Sequence, residues 1–117
     1  MRAIIDDQAA VHTLINTFTV RPDRQAAVVA SLRAFTEQHA HALPGFVAAS
    51  VHASHDGTAV VNYVQWDDAT DLATMLATPA AQAHMAEVTA LAEHVHPVTY
   101  RVAFVGARAE ELGDARR

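Results

Sequence analysis

Three polar side chains sit in segments that are otherwise apolar: Asn16 in Leu14-Ile15-Asn16-Thr17-Phe18, and Asn62 and Trp66 in Asn62-Tyr63-Val64-Gln65-Trp66. Side chains alternate faces along a strand, so Asn62, Val64 and Trp66 share one face, and Tyr63 and Gln65 the other. The Asn62 amide and the Trp66 indole then lie four residues, about 13 Å, apart along the strand, with Val64 between them. Asn16 shares a face with Leu14 and Phe18 in the same way. A buried amide without a partner costs about 1–3 kcal/mol, so these groups require backbone, water or a ligand. Two amides and an indole on one side of a sheet make a polar-lined pocket the favoured reading, although any single buried Asn is more often satisfied by protein or water.

The flanking residues sketch the elements that hold these groups. Residues 1–10 read as a polar N-terminal extension, 11–106 as one domain and 107–117 as a charged tail. A first strand spans about Val11–Val20. Asp23 is placed to cap a helix running to about His41, with Val28, Leu32, Phe35 and His39 on its buried stripe. Leu43-Pro44-Gly45 is a turn, and strands at about Phe46–Ser54 and Thr58–Trp66 are joined at Asp56-Gly57, a hairpin signal. Asp67 or Asp68 starts a short helix ending near Leu76. Thr78-Pro79 starts another, reaching about His94. Pro97 is read as the stop, with a last strand over Val98–Gly106.

This order is β-α-β-β-α-β with the second helix split, an α+β ferredoxin-like antiparallel sheet with helices on one face. Both strand faces are apolar, so the face without helices predicts a homodimer packed sheet to sheet, a dimeric α/β barrel.

Composition narrows the chemistry. The chain of 117 residues has a formal charge of −5, 51% hydrophobic residues and no Cys, and every cationic side chain is Arg. There is thus no thiolate nucleophile, Cys-based metal site, Schiff-base lysine or P-loop lysine. An acidic chain without a basic stripe is not expected to bind nucleic acid. No apolar run has membrane-spanning length, and Met1–Asp7 lacks a signal peptide's apolar core, so a cytoplasmic location away from membranes is expected. The histidine pairs His39/His41 and His94/His96 and the His52/His55 set lack the helical i, i+4 spacing of a metal site, and no bound metal is expected.

Several segments together resemble the antibiotic biosynthesis monooxygenase domain family: Leu14–Val20, Leu43-Pro44-Gly45-Phe46, Asp56-Gly57, Asn62–Trp66 and Gln82-Ala83-His84-Met85. The similarity runs from about Val11 to Gly106 and is strongest to the branch of cofactor-independent, anthrone-type oxygenases. It implies a dimer that oxidises a polycyclic aromatic polyketide to a quinone with O₂ and no cofactor, and that Asn16, Asn62 and Trp66 are functional. Leu72 stands in the region where that branch carries a Tyr.

On this reading Trp66, Phe18, Phe35, Leu72 and Met85 supply flat apolar walls, and the amides and the indole N–H donate to developing oxyanions. His84 is the preferred base and His52 the other candidate, while a sufficiently acidic substrate needs neither. Two rivals stand beside it. A sister branch degrades haem with a first-strand Asn, a last-helix His and a Trp about ten residues earlier. Asn16 and His84 match, but Thr74 and Met75 occupy the Trp region. The other rival is a non-catalytic dimeric binding module. An open cavity reached by Asn16, Asn62 and Trp66 favours the enzyme; a filled core that satisfies all three favours the module.

Overall fold

The computed structural model describes residues 2–7 and 9–109. Four strands, β1 (His12–Thr19), β2 (Phe46–Ala53), β3 (Ala59–Trp66) and β4 (His94–Tyr100), form one antiparallel sheet in the order β2-β3-β1-β4. Helices α1 (Gln25–Gln38), α2 (Ala69–Leu76) and α3 (Pro79–Leu91) complete the ferredoxin-like α+β fold. Thr, Val and Ile recur along the two central strands, β1 and β3, because branched side chains fit a pleated surface.

The helix starts follow local chemistry. Asp68 accepts a hydrogen bond from the Asp71 backbone N–H and starts α2, and Thr78 accepts one from Ala81 and starts α3 ahead of Pro79. The split of the second helical region therefore lies at Ala77-Thr78, where two capping systems meet. Asp23 does not cap α1. It faces Arg21 at 3.3 Å inside a 3-10 turn over Pro22–Arg24, and α1 begins one step later without a side-chain cap. The helix stops at Gln38, and His39 is exposed rather than part of the buried stripe.

The C-terminal third departs most from the sequence pattern. α3 ends at Leu91, and the last strand is His94–Tyr100 instead of Val98–Gly106. Pro97 lies within this strand, opposite Asn16, and does not precede it. β4 is at the sheet edge, where a residue lacking an N–H leaves no interior ladder bond unmade. Of the expected tail, residues 110–117 lie outside the described residues.

Phe18, Val20, Val28, Leu32, Val60 and Val88 form one buried cluster, joining β1 and β3 to α1 and α3. Val64, Trp66, Leu72, Met75 and Ala81 form a second beneath α2. On the opposite face of the sheet, the Gln65 amide donates to the Ile4 carbonyl at 2.9 Å, which ties the N-terminal segment down. Among the described residues no helix is long and apolar enough to cross a membrane.

One turn fixes how α2 meets the sheet. Gly45 has a φ of 83°, its carbonyl accepts from the Asp67 N–H at 2.7 Å, and a side chain there would overlap the Asp71 carboxyl. A left-handed residue with a Cβ costs about 1–2 kcal/mol before any clash is counted. Gly45→Ala is therefore expected to destabilise the protein by at least that amount, read as a lower urea midpoint with an unchanged m-value.

Candidate active site

The strand register builds the site from its floor. Asn16 on β1 lies directly opposite Asn62 on β3, and Val51 and Pro97 complete the row on the outer strands. Side chains in such cross-strand pairs project side by side from the same face, with Cβ atoms about 4.5–5.5 Å apart. The two amides are thus neighbours on the two strands best shielded from water. Four residues further along β3, on the same face, Trp66 packs edge-on against Phe46, with ring centroids 5.6 Å apart and planes at 87°.

Between this floor and the helices lies a cavity of about 150 Å³. Its walls are mostly apolar: Leu14, Phe18, Val64 and Trp66 from the central strands, Leu32 and Phe35 from α1, Met75 and Leu76 from α2, and Met85 from α3. Asn16, Asn62 and His84 add polarity. Asn16 Oδ1, Asn62 Oδ1 and Trp66 Nε1 are buried and have no hydrogen-bond partner among the described residues. Native interiors leave few such groups unpaired, so three around one cavity mark a place where a ligand can complete the bonding. The three groups thus face an open cavity and are not satisfied within a filled core.

His84 closes the cavity on the helix side. Its imidazole is half-buried, stacks on Phe35 with centroids 4.4 Å apart and planes within 6°, and holds Nδ1 at 3.4 Å from Ser31 Oγ. Burial pushes its pKa below the usual imidazole value, and Glu87 partly opposes that shift. A neutral ring stacked in an apolar wall can accept a proton from a bound acid at neutral pH.

Seven of the nine residues singled out from the sequence line this cavity: Asn16, Asn62, Trp66, His84, Phe18, Phe35 and Met85. The other two do not. His52 is exposed on the opposite face of the sheet, with Nε2 3.0 Å from Ser50 Oγ. A bulge between Phe46 and Ala48 inverts the alternation, so Phe46 faces the helices while Ala48, Ser50 and His52 face away. Leu72 is buried at 5% exposure in the cluster with Trp66 and supports that ring from behind without reaching the cavity. Phe46, Met75 and Pro97 were not anticipated as lining residues. Helical spacing from Leu72 offered a signal for Met75, and nothing local offered one for Pro97. Among the described residues no group of three or more His, Asp or Glu converges as a metal site would require.

A ferredoxin-like sheet with an interior cavity floored by paired amides defines the class. Residues 11–87 match the antibiotic biosynthesis monooxygenase family, and the chain belongs to it. It is 40% identical over 82 residues to the tetracenomycin-F1 monooxygenase of Streptomyces glaucescens, covering 70% of this chain and 73% of that one. Among solved structures, SnoaB from Streptomyces nogalater, a cofactor-independent oxygenase, aligns with a TM-score of 0.67 and 25% identity over 83% of this chain and 97% of its own. Rv0793 from Mycobacterium tuberculosis has the same fold, with a TM-score of 0.69 and 22% identity over 86% and 100% of the two chains.

Proposed function

We propose that this protein is a cofactor-independent monooxygenase that uses O₂ to oxidise a polycyclic aromatic, anthrone-like substrate to a quinone. The observation that carries the proposal is the set of unpartnered groups Asn16 Oδ1, Asn62 Oδ1 and Trp66 Nε1 in one cavity with apolar walls. The family, the tetracenomycin-F1 monooxygenase relative and the cofactor-independent SnoaB support the same reading.

The chemistry follows from what O₂ requires. Its triplet ground state reacts slowly with closed-shell molecules, so the substrate itself must become electron-rich. Removal of a proton from the anthrone methylene gives a delocalised enolate, with His84 as the acceptor. The enolate passes one electron to O₂, and the resulting radical pair combines to form a C–O bond and a peroxide. Loss of the remaining C–H proton, with cleavage of O–O, leaves C=O and releases water. One oxygen atom enters the product and the other leaves as water, and the substrate supplies all four electrons. The Trp66 N–H and the side-chain N–H groups of Asn16 and Asn62 donate to the enolate and peroxide oxygens, most effectively where water is excluded, and the unpartnered Oδ1 atoms accept from a phenol or hydroperoxide O–H.

We also assign the working unit as a homodimer joined through the sheet face that carries no helices. Ile15, Val61, Tyr63 and Val98 lie on that face, and Tyr100 beside them is exposed at 47%. Sedimentation equilibrium is expected to give twice the chain mass, and a charged substitution at Val61 is expected to shift it to the monomer.

The deciding experiment is quinone formation from anthrone in air by chelator-treated, flavin- and haem-free protein. The expected result is a rate well above the uncatalysed one with stoichiometric O₂ uptake. No acceleration by protein whose fold is intact would refute generic anthrone oxidation.

A further inference from the structure

A second cavity, of about 240 Å³, lies between α1 and α3 and is lined by Ser31, Gln38, His39 and Glu87 together with Phe35 and His84. Phe35 and His84 also line the inner cavity, so one stacked ring pair is common to both spaces. The inner space of about 150 Å³ matches the size of engineered protein cavities that hold a single benzene ring. A fused system of three or four rings does not fit in a space of that size. The second space shares Phe35 and His84 with the first, and the neighbouring helix surfaces carry Ala34, Ala80 and Ala83, which leave room beside the ring pair.

We infer that the α1–α3 cleft is the outer half of the substrate site. The inner cavity takes the ring that reacts, and the cleft takes the hydroxylated far end of an elongated fused-ring substrate. Phe35 and His84 separate on binding and flank the aromatic plane between the two halves. The inference rests on the proposed reaction only in treating the inner cavity as the place where the reacting ring binds.

The cleft's side chains set the chemistry of that far end. Glu87 accepts hydrogen bonds, the Gln38 amide and Ser31 hydroxyl donate and accept, and His39 does either. Phenolic hydroxyls are the complementary groups, since each can donate to Glu87 and accept from Gln38 or Ser31. His39 is exposed, ends α1 in a non-helical conformation, and holds its ring beside Phe35 with centroids 5.7 Å apart, at the edge of the stacked pair. The position of His84 between the halves also places the base at the junction, next to the ring that would lose its proton.

Trp66 is the chain's single tryptophan and lies in the inner cavity, so its fluorescence reports occupancy whether or not turnover occurs. The test titrates full-length protein with two unreactive probes, naphthol and a dihydroxynaphthacenequinone. Glu87→Ala and Gln38→Ala are expected to weaken the tetracyclic probe about tenfold, the loss of one charge-assisted or two neutral hydrogen bonds, and to leave naphthol unchanged. Ala83→Phe, which fills the cleft from an exposed position without adding a second tryptophan, is expected to do the same. If naphthol quenches Trp66 and the tetracyclic probe fails to bind, or binds all variants equally, the outer subsite is refuted and the proposed reaction stands. If neither probe quenches Trp66, both readings fall together.

Discussion

Asn62→Ala is expected to lower kcat for quinone formation by about a hundred- to a thousandfold, the usual effect of removing one preorganised donor from a dry site. Asn16→Ala should fall in the same range. In the proposed mechanism the opposed amides on adjacent central strands share one oxygen, so the two losses should not add. Trp66→Phe is expected to be the mildest of the three, since it keeps an aromatic ring beside Phe46 while removing Nε1 and part of the indole's volume. A purely structural role for these residues makes the opposite forecast for stability. An amide that holds the core together costs stability when removed. Here Asn62 Oδ1 has no partner among the described residues, so an apolar residue of similar volume removes a desolvation cost. Asn62→Leu should therefore unfold at the same or a higher temperature while losing activity. A fall of several degrees in Tm would instead mean that the amide is bonded within the fold.

The amide floor was legible in the sequence because strand alternation is a strong constraint. Once Asn62 and Trp66 are placed four apart on a strand, an even spacing, their common face follows. That Asn16 stands directly opposite Asn62 was not legible, because register between distant strands is set by the whole sheet. His52 shows the limit of alternation itself: one bulged residue near Val47 inverted the phase, and nothing in Phe46-Val47-Ala48 announces a bulge. Pro97 misled for a different reason. It is a sound stop signal for a helix or a central strand, but its meaning depends on whether the strand lies at an edge, which is a property of the finished sheet. Leu72 was placed by analogy of position, and its packing behind Trp66 depends on how α2 lies on the sheet, which is fixed by contacts of Gly45 and Asp71 from distant parts of the chain. The α1–α3 cleft was invisible for the same reason, since helix periodicity gives the buried face but not the gap between two helices.

His84→Gln is expected to slow quinone formation by about a hundredfold or more, the usual contribution of a positioned base. The amide can still bond Ser31, so a loss of this size would track the missing basic nitrogen rather than a collapsed wall. The pH dependence separates the two directly. Burial lowers the His84 pKa in the folded protein, so the ring is neutral, and competent as a base, at pH 7. Wild-type kcat/KM should hold as pH falls through the ordinary imidazole range near 6.5 and decline only below it. The same shift acts on stability with a defined sign. Between the lowered folded pKa and about 6.5 the unfolded chain binds the proton and the folded chain does not, so acidification through that window favours unfolding. Below the folded pKa both states are protonated and the loss levels off. His84→Gln should remove this contribution to the pH dependence of Tm and, with it, the acidic limb of kcat/KM. If the acidic limb survives in the variant while the stability window disappears, the limb belongs to the substrate's own ionisation, and the cavity works by stabilising an anion that forms without a protein base.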